Sequence, residues 1–176
     1  MSTMNPFPAD VPVPATGEVL SEHSIDEIRS WVKRFPEDQK QSAVLSALRI
    51  AQHQNGGYLT TSLMDAVARE LEMAPIAVYE VASFYSMLET KPVGRHCVAI
   101  CTNISCMLMG CDAIVEHVEK KFGIKSGEST PDGRTYLQVE EECLAACTGG
   151  PMMQVNHVYH TNLTPAKVDE ILDALD

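Results

Sequence analysis

The chain has 176 residues, of which 45% are hydrophobic, and 13 Lys and Arg stand against 24 Asp and Glu for a formal charge of −11. That size fits one domain or two small ones, and the acidic balance argues against nucleic acid and anionic membrane surfaces as partners. No apolar run approaches the roughly 18 residues of a membrane span, so no direct membrane contact is expected.

The first 20 residues carry four prolines and few large apolar groups, so residues 1–21 are expected to be an extended or disordered arm. They lack a basic segment followed by an apolar one, and they contain Asp10 and Glu18 but no Arg. A secretory or transit leader is therefore not expected, and the expected location is cytoplasmic. In that reducing compartment six cysteines point to metal binding or catalysis rather than to disulfides.

Ser24-Ile25-Asp26-Glu27 has the form of a capping box, which predicts a helix with Ile25, Ile28 and Val32 on one face, ending before Pro36. A second helix is predicted over 38–53, with Val44, Leu45, Leu48 and Ala51 inward and Gly56-Gly57 after it. The third begins near Thr61 or Ser62 and presents Leu63, Val67 and Leu71. The fourth starts at Pro75 and carries Ile76, Tyr79, Ala82 and Tyr85. Tyr79, Phe84 and Tyr85 read as core or interface aromatics. Short amphipathic helices with tight loops predict a small bundle over residues 22–91, with no cysteine and a docking role.

After Lys91-Pro92-Val93-Gly94, a linker, His96 to Cys101 reads as a strand. Cys101 falls at its end and Cys106 across the next loop. A helix over 110–122 turns Ile114, Val118 and Phe122 inward and closes at Gly123. Thr130-Pro131-Asp132-Gly133 is a turn ahead of a second strand, Thr135 to Val139. Glu140-Glu141-Glu142, expected as a solvated strand end, leads to Cys143 and Cys147. Met152 to Val155 and Val158 to His160 form a hairpin turned at Asn156-His157. Thr164 caps the last helix, with Pro165 first and Val168, Ile171, Leu172 and Leu175 as its apolar stripe. Periodicity gives an α/β (α+β) class and nothing narrower.

Cys101 and Cys106 make a C-x4-C pair; thirty-six residues later Cys143 and Cys147 make a C-x3-C pair. Thiolate sulfur selects zinc, copper(I) or iron–sulfur clusters. A [2Fe-2S] cluster takes two cysteines per iron, which two pairs supply. A structural zinc module, which prefers C-x2-C knuckles, stays open as an alternative, as does burial of the thiols as small apolar groups. A thiol oxidoreductase would use C-x-x-C, which is absent, and no G-x-G-x-x-G follows a strand to bind NADH.

The segments VAICTNISCMLMG (Val98–Gly110) and TPDGRTYLQVEEECLAACTGGPMMQVN (Thr130–Asn156) resemble the thioredoxin-like [2Fe-2S] subunit family of bacterial NADH:quinone oxidoreductase, respiratory complex I. VYEVASFYSML (Val78–Leu88) resembles that family's helical motif ahead of the cluster domain. The resemblance covers about residues 25–176. It implies a small N-terminal helical bundle followed by a thioredoxin-like [2Fe-2S] ferredoxin domain over residues 92–176. It implies Cys101, Cys106, Cys143 and Cys147 as cluster ligands, with Cys97 and Cys111 outside the set. It implies an oxidoreductase subunit with no complete active site of its own. A partner subunit would hold FMN and the NADH site, among other peripheral-arm subunits on the cytoplasmic face of the inner membrane. The equivalent subunit of a NAD-reducing hydrogenase or NAD-dependent formate dehydrogenase shares the same pattern. In a thioredoxin-like fold, Gly150-Pro151 ahead of a strand is a candidate cis bond.

Overall fold

The computed structural model describes residues 19–140 and 142–175. Residues 1–18, most of the expected arm, lie outside the described residues. The chain divides into two compact units, one ending at Pro92 and one beginning at Val93.

The first unit is helical: α1 (Glu22–Val32), a 3-10 segment (Glu37–Ala43), α2 (Val44–Gln54), α3 (Thr61–Leu71) and α4 (Pro75–Phe84). The expected capping box is displaced. Ser21 is the N-cap, its hydroxyl accepting from the Ser24 N–H at 3.1 Å, and Ser24 sits buried inside the first turn. The helix predicted over 38–53 is split, because Gln39 leaves helical geometry at φ −122° and the α-helix starts only at Val44. Ile28, Leu48, Leu63, Val67, Leu71 and Val78 are fully or almost fully buried in one core. Leu20, assigned to the arm from composition, is buried in this core too. The buried Gln54 amide explains why the chain is held there. Its Nε2 donates to the Val19 carbonyl at 3.0 Å and its Oε1 accepts from the Ser21 N–H at 2.8 Å, so the amide is buried with both ends satisfied.

The inner face expected for α4 holds at Ala82 but not at Ile76, Tyr79 or Tyr85. Val78 and Ala82 are buried, whereas Ile76, Tyr79, Tyr85 and the adjacent Phe84 are exposed. This helix is apolar nearly all round, so periodicity cannot choose its inner face. Packing against α3 selects the side on which the small Ala82 lets the helices approach.

The second unit is a five-stranded sheet with helices: β1 (His96–Cys101), α5 (Ile104–Leu108), α6 (Cys111–Phe122), β2 (Glu128–Ser129), β3 (Thr135–Glu140), β4 (Met153–Val155), β5 (Val158–His160) and α7 (Pro165–Asp173). The strand order is β2-β3-β1-β4-β5. β1 runs parallel to β3, from His96 opposite Thr135 to Cys101 opposite Glu140, and all other pairings are antiparallel. A parallel pair needs a crossover, and α5 and α6 lie within it. Ile114, Val118, Leu137, Met153, Val168 and Leu172 form the core between sheet and helices.

Local signals in this unit are expressed where the sequence places them. Thr164 caps α7 by accepting from the Lys167 N–H at 3.3 Å, with Pro165 in the first turn. The β4–β5 turn puts Asn156 and His157 in the left-handed region, φ +47° and +68°. The Gly150-Pro151 bond is cis.

Candidate metal centre

The register of β1 against β3 brings the two cysteine pairs to one edge. Parallel neighbours end on the same side of a sheet, so the loops that leave them are adjacent. Cys101 closes β1 opposite Glu140, the last residue of β3. Three residues after Glu140 comes Cys143, and Cys101 Sγ lies 3.9 Å from the Glu142 carbonyl oxygen. The Glu140 side chain and Glu141 lie outside the described residues, and Glu142 is exposed.

The pairs differ in setting. Cys101 and Cys106 are each 1% exposed and pack with Cys111 and Met152 in a cluster separate from the sheet core. Cys106, expected in a loop, instead sits on α5, a single short turn of helix. Leu144 and Ala146, from between the second pair, pack against that cluster. Cys143 and Cys147 are exposed, and their sulfurs are 3.0 Å apart. That is well beyond the 2.03–2.05 Å of a disulfide, and none of the six cysteines is in a disulfide.

The C-x3-C loop turns through Ala145, a non-glycine residue at φ +62°. This conformation aims the Ala145 N–H at Cys143 Sγ, 3.3 Å away.

Burial pushes the Cys106 thiol up to about 11, with the neighbouring Cys101 sulfur adding to the rise and a backbone contact at Met152 opposing it. Burial also raises Cys111, beside Asp112 and Cys101. Metal binds the thiolate and releases the proton, so a cation at this pair supplies the charge stabilisation that burial removes.

Among the described residues no three His, Cys, Asp or Glu side chains converge on a single metal point. Cys101 and Cys106 lie together beside Cys111, and Cys143 lies against Cys147. Donor set and pairing fit a two-iron group, which needs two cysteines at each iron. Close approach of the backbone fits as well. A Cβ on Gly150 would lie 2.7 Å from Met109 Sδ and 3.4 Å from Cys106 Sγ, so glycine leaves room against the first pair. Nothing in the sequence points to this contact or to Met109 and Met152 beside the thiols. These positions lie in loops and on a single helical turn, where no periodic pattern is available to reveal a contact.

Cys97 and Cys111 occupy different places. Cys97 sits at the opposite end of β1 from Cys101, about 13 Å away along an extended strand. It is half-buried, with its Sγ 3.8 Å from Gln138 Oε1. Cys111 is fully buried beside the first pair.

A thioredoxin-like α/β sheet with two cysteine pairs at the carboxyl edge of its parallel strands defines an iron–sulfur protein of the ferredoxin class. The profile of the thioredoxin-like [2Fe-2S] ferredoxin family matches residues 28–176, and the chain belongs to that family. A [2Fe-2S] cluster is therefore its cofactor. The E-type subunit of the NADH-quinone oxidoreductase of Rickettsia bellii is 43% identical over 144 residues, covering 82% of this chain and 86% of that protein. The second E-type subunit of Rhizobium meliloti is 41% identical over 149 residues, 85% and 86% of the two chains. The mitochondrial NADH dehydrogenase [ubiquinone] flavoprotein 2 of Dictyostelium discoideum is 37% identical over 89% of this chain and 63% of its own length. Among solved structures, a NAD+-reducing [NiFe]-hydrogenase in the H2-reduced state shares the fold at TM-score 0.63 and 21% identity. That match covers 74% of this chain and 21% of the hydrogenase chain.

Proposed function

We propose that this chain is the electron-transfer subunit of an NADH:quinone oxidoreductase, with Cys101, Cys106, Cys143 and Cys147 holding one [2Fe-2S] cluster. The observation that carries the reading is the meeting of the two cysteine pairs at one sheet edge, in a chain 41–43% identical to NADH-quinone oxidoreductase subunits over more than four-fifths of its length. When bound, the cluster supplies one-electron storage and release.

The chain's own residues prepare that site. β1 fixes Cys101 from both sides, through β3 and β4. Buried Met152 and the packed Leu144 and Ala146 keep water from the first pair, which lowers the local dielectric and strengthens every charge interaction there. The Ala145 N–H donates to Cys143 Sγ and stabilises negative charge there. The exposed second pair is the side open to an electron partner.

The proposed partner is the flavin- and NADH-binding subunit of the same complex, within a peripheral arm on the cytoplasmic face of the inner membrane. Among the described residues no helix is long and apolar enough to cross a membrane, which suits a place away from lipid. The equivalent subunit of a NAD-reducing hydrogenase is the second reading, supported by the hydrogenase fold match alone.

Purification of the chain with its native partners tests the proposal. Two irons and two acid-labile sulfides per chain, reduced by NADH in the complex, are expected. Stoichiometric zinc without colour would overturn the cluster, because zinc is spectroscopically silent. Co-purification of hydrogenase subunits in place of quinone-reducing ones would select the second reading.

A further inference from the structure

We propose that His96 is a proton-sensitive latch for the β4–β5 turn: its neutral ring accepts the Asn156 side chain and holds the turn on β1, and protonation releases it. The latch lies at the edge of the sheet opposite the cysteine pairs and does not depend on the ligand assignment.

The turn carries two consecutive non-glycine residues in the left-handed region, Asn156 and His157, a conformation that costs L-residues backbone energy and has to be held by contacts. Asn156 supplies three. Its N–H donates to the Cys97 carbonyl at 3.1 Å, its Oδ1 accepts from the Cys97 N–H at 3.0 Å, and its Nδ2 donates to His96 Nδ1 at 2.8 Å. The Cys97 N–H can only donate, so it selects the oxygen end of the amide. That leaves the NH2 end against the ring, and an NH2 group can only donate. His96 Nδ1 is therefore the unprotonated acceptor, with the proton on Nε2. A charged imidazole carries a proton on both nitrogens, which sets donor against donor and removes the bond.

The surroundings of the ring narrow the assignment. β1 brings Arg95 and the Cys97 thiol, β3 brings Arg134, whose carbonyl accepts the His96 N–H at 2.8 Å, and the turn brings His157. Asp132 lies behind Arg134 and accepts its N–H at 3.0 Å. The crossover returns α6 antiparallel to β1, so the far ends of α6 and α7 lie toward this edge and carry Lys121 and Asp173, paired at 2.7 Å. Of these residue types only histidine ordinarily changes charge between pH 5 and 8, so His157 is the one competitor.

Amide exchange of the full chain, with its cluster oxidised, is followed from pH 8 to pH 5 and expressed as protection relative to unstructured peptide at the same pH. Protection of the Cys97 N–H is expected to fall about fivefold, the worth of one ordinary hydrogen bond. The Cys101 N–H, bonded to the Met152 carbonyl at the other end of β1, is expected to keep its protection. His96→Asn puts a side-chain oxygen near the place of Nδ1, which accepts at every pH, so the fall should vanish. Asn156→Asp tolerates the left-handed turn and presents a carboxylate to the Cys97 N–H and the charged ring alike, so protection should hold or rise as pH falls. His157→Gln should leave the fall as in wild type. Level protection in wild type, an undiminished fall in His96→Asn or Asn156→Asp, or loss of the fall in His157→Gln overturns the inference. Should a variant fail to fold by circular dichroism, the wild-type ring decides: its 15N resonances at pH 8 must show Nδ1 unprotonated, and a proton on Nδ1 there overturns the inference.

Discussion

Replacing Gly150 by alanine places one methyl group against the first cysteine pair. The backbone at Gly150, φ −67° and ψ 157°, suits any residue, so the cost is steric. The new Cβ would meet Met109 Sδ at 2.7 Å, Cys106 Sγ at 3.4 Å and Cys106 Cα at 3.6 Å. Only the first distance forces a movement, and it involves the end of a flexible, half-exposed side chain. Overpacking costs about 1–3 kcal/mol, while restricting the unfolded chain returns about 0.4–1 kcal/mol. A net loss of about 1 kcal/mol is expected from these two effects. Met109→Ala removes the obstructing sulfur, and in that background the same substitution should become neutral or slightly stabilising. Native-state hydrogen exchange of the β1 and β4 amides measures both arms of this double-mutant cycle. The same cost in both backgrounds would refute the assignment of the clash to Met109. Because Cys106 Sγ is the second contact, the resonance signal of the reduced cluster should also shift in Gly150→Ala.

Gly94→Ala should be far more damaging, because its Cβ would fall 2.5 Å from the Thr135 carbonyl carbon and 2.7 Å from the Tyr136 nitrogen. Paired backbone cannot yield, and a loss of about 3 kcal/mol is expected in β1 and β3 exchange protection. In the helical unit Ser21→Ala should cost about 1 kcal/mol by loss of the cap, and Ser24→Ala less, with unfolding followed by the fluorescence of Trp31. The reverse order would restore the cap to Ser24. The Asp169 carboxyl is held below its ordinary value of 3.8 by the His117 ring and the Lys121 ammonium. Its contribution is therefore present above 3.8 and disappears as pH falls through the lower folded value. Asp169→Asn should flatten the pH dependence of α7 exchange protection in that acidic window.

Signals carried by a few neighbouring residues were legible. The Thr164 cap, the Asn156-His157 turn and the bounds of β1 all appear as expected, because each depends on residues adjacent in the chain. Cysteine spacing and the family segments together mark the four candidate ligands, whose assignment is part of the proposed function. Faces and starting points of helices were not. In α4 apolar residues surround the axis, so its inner side is chosen by what packs on it. At α1 both Ser21 and Ser24 are chemically able to cap, and the burial of Leu20 with the Gln54 anchor decides for the earlier one.

By itself the amino-acid order determined which side chains are available: two thiol pairs, strong turns and amphipathic stripes. Only the tertiary structure decided that both pairs emerge at one sheet edge, that Gly150 backs onto Cys106, and that Cys111 packs with the first pair. The reason is the parallel register of β1 with β3. It joins segments about forty residues apart through hydrogen bonds and burial, and pairing between distant segments leaves no local pattern in either.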